Sequence, residues 1–240
     1  MINNDLFGDE YEITYTHFQD KEDTPQKYRA RIDRAIGRNI WEHTITTSTT
    51  SRNGFPIIEP YSYTVPDHFV RFDQRKKVSE PSKTMLHFYM YDYNFAKVLK
   101  QPELYIEELK QYHSVVFPDA SQYVNMPFYR RICNNGINKE IGQLWQKSGV
   151  RVVVNATWSD TNSLAYCFEG LPTGCMIAIS SMGIKGNPYS IYLWKQGYAR
   201  ALECLQPTHI IRYGDFIMGE DASISTYFEV EHLNRMHNGK

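Results

Sequence analysis

Short apolar runs alternate with helix-like segments over residues 85–215, and no other feature constrains the fold of this chain as strongly. Each run is apolar on both faces, which is typical of parallel strands that helices cover on two sides. The sequence therefore predicts an α/β protein with a mostly parallel sheet of about five βα units, either doubly wound or arranged as an incomplete (β/α) barrel. The five predicted strands are 85–91, 114–119, 150–158, 175–181 and 208–215.

Helical patterns fill the segments between these strands. The last helix has the clearest start, because Asn187 is a favoured capping residue and Pro188 suits the first helical position. The predicted helices are 95–112, about 127–147, 161–169 and 188–205.

The region before residue 84 has a different character. Residues 1–24 carry seven acidic side chains and one lysine, whereas residues 25–85 carry eleven basic and six acidic ones. Residues 24–41 are predicted to form a basic helix, and Asn53-Gly54 predicts the turn of a β-hairpin. The predicted organisation is an N-terminal region of acidic leader, basic helix and hairpin, then an α/β domain, then a C-terminal tail, at 1–83, 84–215 and 216–240.

The sequence signatures of several large enzyme classes are missing. There is no G-x-G-x-x-G, G-x-x-x-x-G-K-[ST], G-x-S-x-G or H-E-x-x-H motif. The eight histidines show no metal-ligand spacing and the four cysteines form no Cys-x-x-Cys pair, so a zinc site is not expected. No apolar run reaches the length of a membrane span, and no apolar leader is visible. We therefore expect a cytoplasmic protein without a membrane partner.

Polar side chains follow the predicted strands. In parallel α/β sheets, ligands bind beyond the carboxyl ends of the strands, and four of the five predicted strands are followed by an aspartate within a few residues. The candidate catalytic residues are Asp119, Asp160 and Asp215. The candidate ligand-binding residues are Ser121, Asn155, Trp158, Ser180, Ser181 and Tyr213.

Two kinds of chemistry fit these carboxylates. Several together would hold Mg²⁺ or Mn²⁺ through oxygen ligands, as in phosphoryl chemistry, or one with a raised pKa would serve as a general acid or base. Aspartate is also a favoured helix cap, and Asp119 and Asp160 stand where such caps are needed. Trp158 fits either stacking on a sugar or base, or packing over the end of the sheet.

A second candidate site is basic. Clustered arginine and lysine side chains near the N-terminus would form a phosphate-binding surface for nucleic acid. The alternative is a solvated helix face that pairs with the acidic leader. The residues concerned are Arg29, Arg31, Arg34, Arg38, Arg75, Lys76 and Lys77.

Several short motifs occur in an order that resembles a known family. They are Pro118-Asp119-x-Ser121, Met126-Pro127, Trp145-Gln146, Trp158-x-Asp160, Phe168-x-Gly170 and Tyr213-Gly214-Asp215. Over about residues 84–215 the chain resembles DUF4417, a family of unknown function. The resemblance implies a bacterial host and a bacteriophage, plasmid or other mobile-element setting, and it implies no established activity. The chain departs from the pattern at Asn155, where we expect a proline.

Three hypotheses about function follow. The first is that the α/β domain binds a small phosphorylated or nucleotide-like ligand at the strand ends, with metal-assisted hydrolysis as the reaction to test. The second is a nucleic-acid-binding accessory protein that uses the basic segment 25–77. The third is a protein-interaction factor that acts on a host defence system through a tyrosine-rich surface.

Overall fold

A computed structural model describes most of the second unit of the chain. Contacts divide the chain into residues 1–39 and residues 40–240, and every described residue belongs to the second unit. The predicted acidic leader and the basic helix at 24–41 lie outside the described residues. The described ranges are 48–50, 52–184 and 186–229.

Seven strands form one sheet in which every pairing is parallel, and each strand pairs with the next one along the chain. The α/β class with a parallel sheet is therefore confirmed. The strands are β1 His68–Arg71, β2 Thr84–His87, β3 Ser114–Val116, β4 Val152–Asn155, β5 Met176–Ser180, β6 His209–Tyr213 and β7 Ser225–Phe228.

Helices connect the strands, as the alternating pattern predicted. The start of the last helix is confirmed, because the Asn187 side chain accepts hydrogen bonds from the backbone N–H groups of Tyr189 and Ser190. The single helix expected over 95–112 is instead broken at Pro102, which lacks an N–H and opens a 3₁₀ turn, Pro102–Tyr105. The α-helices are α1 Ala96–Lys100, α2 Ile106–Leu109, α3 Phe128–Lys147 and α4 Pro188–Leu205.

The strand order selects the incomplete (β/α) barrel over the doubly wound sheet. A doubly wound sheet reverses its strand order at a switch point, whereas this order is sequential from β1 to β7. Right-handed crossovers in sequential order place the helices on one face and turn the other face inward. Across that interior the ring of Phe69 in β1 lies 5.3 Å from the ring of Phe228 in β7 and 5.9 Å from that of Tyr213 in β6.

Two strands lie outside the segments predicted to form the sheet. β1 falls in the predicted N-terminal region, before the expected start of the α/β domain at residue 84, and β7 falls in the expected C-terminal tail. Both are edge strands of four residues whose side chains are mostly half-buried or exposed, so neither shows the continuous apolar run by which the five inner strands were found. The predicted hairpin turn is present, with an antiparallel bridge between Thr49 and Pro56 around Gly54, which has a φ of +69°.

The sheet is covered on both faces, as a parallel sheet requires. An outer core between strands and helices contains Phe88, Phe117 and Trp145. A smaller inner core fills the barrel. Its buried members are Phe69, Met85, Tyr89, Val116, Val153, Met176, Ala178, Ile211 and Tyr213.

Helix α3 turns an unusually polar face inward. Its buried polar residues follow at steps of three and four, so they share a face of the helix. The residues that follow this spacing are Arg131, Asn135, Asn138 or Lys139, and Gln143, and Glu140 is also buried.

Burial of Lys139 costs more free energy than burial of the neutral polar residues on this face. Its Nζ donates to the carbonyl oxygen of Tyr166 at 3.4 Å and lies 4.2 Å from the centroid of the Phe55 ring. Burial lowers the pKa of Lys139 to about 7, although the nearby Cys167 and Glu169 act in the opposite direction. The folded protein therefore favours the neutral amine, whereas the unfolded chain keeps the amine charged up to about pH 10.

Replacing Lys139 with methionine should stabilise the protein. The penalty for this lysine is complete below about pH 7 and fades as the pH rises towards 10, because only the unfolded chain holds the proton in that window. We expect Lys139→Met to raise the unfolding free energy by about 2–4 kcal/mol at pH 7, and by less at pH 9.5, in urea titrations. The exposed Lys97→Met is the control. A Lys139→Met protein that is no more stable at pH 7 would contradict the assignment.

Candidate functional site

The carboxyl ends of the seven parallel strands meet at one end of the barrel, called the mouth below. Three side chains form a hydrogen-bonded chain there. The Tyr89 hydroxyl, just after β2, donates to Asn155 Oδ1 at 3.1 Å, and Asn155 Nδ2, at the end of β4, donates to Asp119 Oδ1 at 2.9 Å. Because side chains alternate along a strand, Asn155 shares the inward face of Val153. The structure thus brings Asp119 and Asn155, two sequence-predicted residues, into direct contact.

Asp119 has the electrostatics of a proton-exchanging group. Burial raises the pKa of Asp119 to about 6, the hydrogen bonds from Asn155 and Thr157 act against this, and the charge of Asp92 adds to it. Asp92 in turn accepts from the Ser121 hydroxyl at 2.8 Å. Asp119 as a whole is partly exposed, although its carboxyl group is buried enough for burial to be the largest cause of the raised pKa. A carboxyl group with a pKa near 6 suits general acid or base chemistry close to neutral pH.

His87 is a polar residue of the interior that the sequence did not single out. Its Nδ1 accepts from the backbone N–H of Tyr89 at 3.2 Å, which places the proton of the neutral ring on Nε2. That Nε2 is buried and has no hydrogen-bond partner among the described residues. Burial holds the pKa of His87 well below its ordinary value, and the charge of Arg71 lowers it further. His87 therefore presents a neutral donor to the interior, between the rings of Phe69 and Tyr213.

Asp160 has structural partners. Its side chain caps the 3₁₀ helix Thr161–Ala165 by accepting from the Ser163 N–H at 3.0 Å, and it forms an ion pair with Arg131 Nη1 at 2.6 Å. Burial would raise the pKa of Asp160, but the hydrogen bonds from Arg131 and from the Ser163 backbone, together with the charge of Arg131, outweigh it and the pKa is lowered. This carboxylate stays charged and is held in place by the helix start.

The residues after β5 and β6 fix a turn. The buried Ser181 hydroxyl donates to the backbone oxygen of Asp215 at 2.6 Å, and Ser180 Oγ accepts from the Met182 N–H at 3.1 Å. The Asp215 side chain is exposed. Tyr213 belongs to the inner core and its ring stacks on that of Tyr89 at 5.7 Å. These residues form part of the mouth, but their side chains make separate contacts and do not meet at one point.

Trp158 packs against helix α4. Its Nε1 donates to the Leu193 carbonyl oxygen at 3.2 Å, and its ring lies 5.9 Å from that of Trp194 and 6.1 Å from that of Phe168. A Cβ atom built on Gly197 would come within 2.1 Å of the Trp158 indole. The packing role described for Trp158 is therefore the one that its contacts support.

The basic candidate site is only partly within the described residues. Arg75 forms an ion pair with Glu108 at 3.0 Å and lies 4.0 Å above the Phe72 ring, so it has a structural role. Lys76 and Lys77 are exposed. The nucleic-acid hypothesis stays a prediction. The residues outside the described ranges are Arg29, Arg31, Arg34 and Arg38.

Buried polar atoms also surround the mouth on the side of helix α3. Arg131 Nε, Asn135 Oδ1 and both amide atoms of Gln122 have no hydrogen-bond partner among the described residues. These residues were not predicted to belong to a site, since the step of four from Arg131 to Asn135 also fits a solvated helix face. A metal centre is not apparent: within the described ranges no group of three or more His, Cys, Asp or Glu side chains is placed to hold an ion.

The rim of the mouth is rich in exposed apolar side chains. Among the described residues, eleven large apolar side chains in the segments that follow β2, β3, β5 and β6 are exposed. Two pairs are stacked, Tyr91 on Tyr93 at 5.5 Å and Tyr189 on Tyr192 at 6.4 Å. The eleven are Tyr91, Tyr93, Tyr123, Val124, Phe128, Tyr129, Met182, Tyr189, Tyr192, Phe216 and Met218.

Two surface depressions lie away from the mouth, on either side of the turn at Asn53-Gly54. One, of about 320 Å³, is bordered by Arg52, Glu169 and Arg200, and the other, of about 170 Å³, by Phe55 and Cys133. Neither is lined by a residue from a strand end. The hydrogen-bonded chain at the mouth therefore remains the best-supported candidate site.

Comparison with known proteins shows the family of this chain. The sequence pattern of a domain of unknown function, DUF4417, matches residues 49–230. The chain belongs to the DUF4417 family. The match runs beyond the expected 84–215 and includes both β1 and β7. It thus covers the whole sheet.

Two bacteriophage proteins are similar in sequence to this chain. The chain is 28% identical over 182 residues to the Gene 1 protein of Mycobacterium phage L5, covering 75% of this chain and 79% of that protein. It is equally similar to the Gene 1 protein of Mycobacterium phage D29, of which 67% is covered. No solved structure matches. None of the described helices is both long enough and apolar enough to cross a membrane.

The contact between Trp158 and Gly197 gives a test of the packing around the mouth. Gly197→Ala would drive a methyl group into the indole, so we expect the unfolding free energy to fall by about 1–3 kcal/mol or more. The neighbouring exposed position serves as the control, and Gln196→Ala should change stability little. Thermal unfolding of both variants checks the expectation. Equal stability of the two would show that Trp158 does not pack on α4 as described.

Proposed function

We propose that the mouth of the barrel binds a small phosphorylated or nucleotide-like ligand and that Asp119 exchanges a proton with it. The observation that carries this proposal is the position of Asp119, a carboxyl group with a pKa of about 6 at the carboxyl edge of a parallel sheet. Asn155 and Tyr89 hold its orientation through the hydrogen-bonded chain. A held carboxyl group that titrates near neutral pH is typical of a functional site.

The surroundings of Asp119 support this class of ligand. Arg71 stands at the end of β1, close enough for its charge to lower the pKa of His87, and supplies positive charge for an anionic group although it also pairs with Asp73. The stacked Tyr91 and Tyr93 rings offer an exposed aromatic face at the rim. Stacking on such a face contributes to the binding of bases.

A metal ion would enter this site together with the ligand. Asp92 lies close enough to Asp119 for its charge to raise the pKa of that carboxyl group. Mg²⁺ or Mn²⁺ is usually held by one or two carboxylates together with substrate phosphates. In that arrangement Asp92 and Asp119 would supply protein ligands and the phosphate of the ligand would supply the rest, and Asp119 would then stay ionised, so metal binding and proton exchange are alternative roles of this carboxyl group.

The variant Asp119→Asn tests whether the Asp119 carboxyl group takes part in ligand binding. The variant keeps the shape of the side chain and an oxygen for the Asn155 hydrogen bond, but it removes the charge and the titration. We expect the affinity for nucleoside monophosphates, measured by calorimetry at pH 7.5 with and without Mg²⁺, to fall at least tenfold. The half-exposed Asp67→Asn, before β1, is the control. Unchanged affinity in Asp119→Asn would overturn the proposal.

The same variant should be more stable at high pH. The pKa of Asp119 is higher in the folded protein than in the unfolded chain, so ionisation opposes folding fully above about pH 6 and not at all below about pH 4. Asp119→Asn should therefore raise the unfolding free energy by about 1–2 kcal/mol at pH 7.5, with the gain vanishing near pH 4. Urea titrations at the two pH values check the sign.

The exposed rim favours a second candidate function, which is contact with another protein. Exposed apolar patches of this extent often mark interaction sites. A photo-crosslinking amino acid placed at Tyr93 on the rim should form protein adducts in cells, whereas one at Leu104, equally apolar and exposed but in the 3₁₀ turn before α2, should not. Equal cross-linking from both positions would count against the rim.

A further inference from the structure

Three buried polar side chains stand beside the mouth with unused hydrogen-bonding atoms. Gln122, Arg131 and Asn135 are 9%, 6% and 2% exposed. Both amide atoms of Gln122, Nε of Arg131 and Oδ1 of Asn135 lack hydrogen-bond partners among the described residues. A buried polar atom without a partner is unfavourable, because it has lost its hydrogen bonds to water and gained none in the protein. Three neighbouring residues of this kind therefore indicate that something else satisfies them.

Contacts of neighbouring residues bring the loop after β3 alongside helix α3. Asn138 Oδ1 accepts from the Ala120 N–H at 2.9 Å, and Asn134 Nδ2 donates to the Ser121 oxygen at 2.6 Å. The loop after β3 therefore runs along α3 towards the first turns of that helix. Gln122 is the next residue of this loop. Continuing in the same direction, the loop brings Gln122 near the first turns of α3, which carry Arg131 and Asn135.

The same residues border the loops that form the proposed site. Arg131 Nη1 reaches the loop after β4, where it contacts Asp160 at 2.6 Å and Ser159 Oγ at 3.3 Å. The loop after β3 also carries Asp119, and the loop after β4 begins directly behind Asn155. The unused polar atoms thus lie along the same two loops as the Asp119–Asn155 contact.

The chemistry of the three residues points to a neutral polar group. The Arg131 guanidinium is paired with Asp160 through Nη1, so the corner formed by the three residues offers unused hydrogen-bonding atoms rather than an unpaired charge. It offers two donors, Arg131 Nε–H and the Gln122 amide nitrogen, and two acceptors, Gln122 Oε1 and Asn135 Oδ1. Mixed donors and acceptors on planar amide groups match the hydrogen-bonding edge of a nucleobase.

We propose that Gln122, Arg131 and Asn135 form a subsite that recognises the edge of a nucleobase, beside the loop that carries Asp119. This inference rests on the proposed function and narrows its ligand to one that carries a base. The phosphate end would then lie towards Arg71 and Asp119. A ligand without the base would leave the amide groups unsatisfied and bind more weakly.

The experiment compares nucleoside monophosphates with ribose 5-phosphate by calorimetry. Gln122→Met and Asn135→Leu keep the approximate size of the side chains and remove the unused polar atoms, so neither should lower the melting temperature. We expect each to weaken binding of the preferred nucleoside monophosphate at least tenfold and to leave ribose 5-phosphate unchanged. The exposed Gln111→Met is the matched control and should change neither affinity.

The outcomes separate the subsite from the proposed function. If Asp119→Asn weakens both ligands while Gln122→Met and Asn135→Leu discriminate as before, the subsite is wrong and the proposed function stands. If no nucleoside monophosphate and no ribose 5-phosphate binds the unaltered protein, both fail. Should either variant not fold, a crystal structure of the unaltered protein with the nucleoside monophosphate decides. A base edge within hydrogen-bond distance of Gln122 supports the subsite, and ordered water there with the base elsewhere overturns it.

Discussion

The requirement that a parallel sheet be buried on both faces governs this structure. Sequential strand order places the helices on the outer face, so the inner face must be covered by its own side chains. Phe69, Phe228 and Tyr213 meet across the interior and close it between the edge strands. A barrel filled in this way has room for polar groups only at its ends. The hydrogen-bonded chain of Tyr89, Asn155 and Asp119 lies at one of these ends because strand alternation continues the inner face up to the mouth.

Buried charges in the described part of the chain fall into two classes. Arg212 and Glu220 are fully buried and paired through two hydrogen bonds, of 2.5 and 2.8 Å, which join β6 to the loop before β7. Arg131 and Asp160 form a similar pair that fixes a helix start. Asp119 has amide and hydroxyl partners but no cation, and its pKa is displaced towards the neutral form. The charges of these two pairs are compensated within the fold, whereas the pKa values of Asp119 and Lys139 are displaced towards the neutral form.

The sequence predicted the fold class and the inner strands because these depend on local patterns. Continuous apolar runs identified β4, β5 and β6, and Asn187-Pro188 identified the start of α4. The edge strands β1 and β7 were not predicted, because half-exposed strands of four residues have no distinctive sequence pattern. The roles of Asp119 and Asp160 could not be separated from sequence, since both simply follow a strand. What distinguishes them is one contact far along the chain for each, Asn155 for the former and Arg131 for the latter.

The unsatisfied polar atoms beside the mouth bear on both the stability of the folded protein and the ligand specificity of the proposed subsite. A site that hydrogen-bonds a polar ligand discriminates strongly against analogues that lack the polar group, because its buried groups are then left unpaired. The same unpaired groups destabilise the protein while the site is empty. Gln122 and Asn135 therefore stand at positions where an apolar side chain would fold at least as well. The proposed subsite gives a reason for a pair of amide residues at such positions, whereas packing alone gives none.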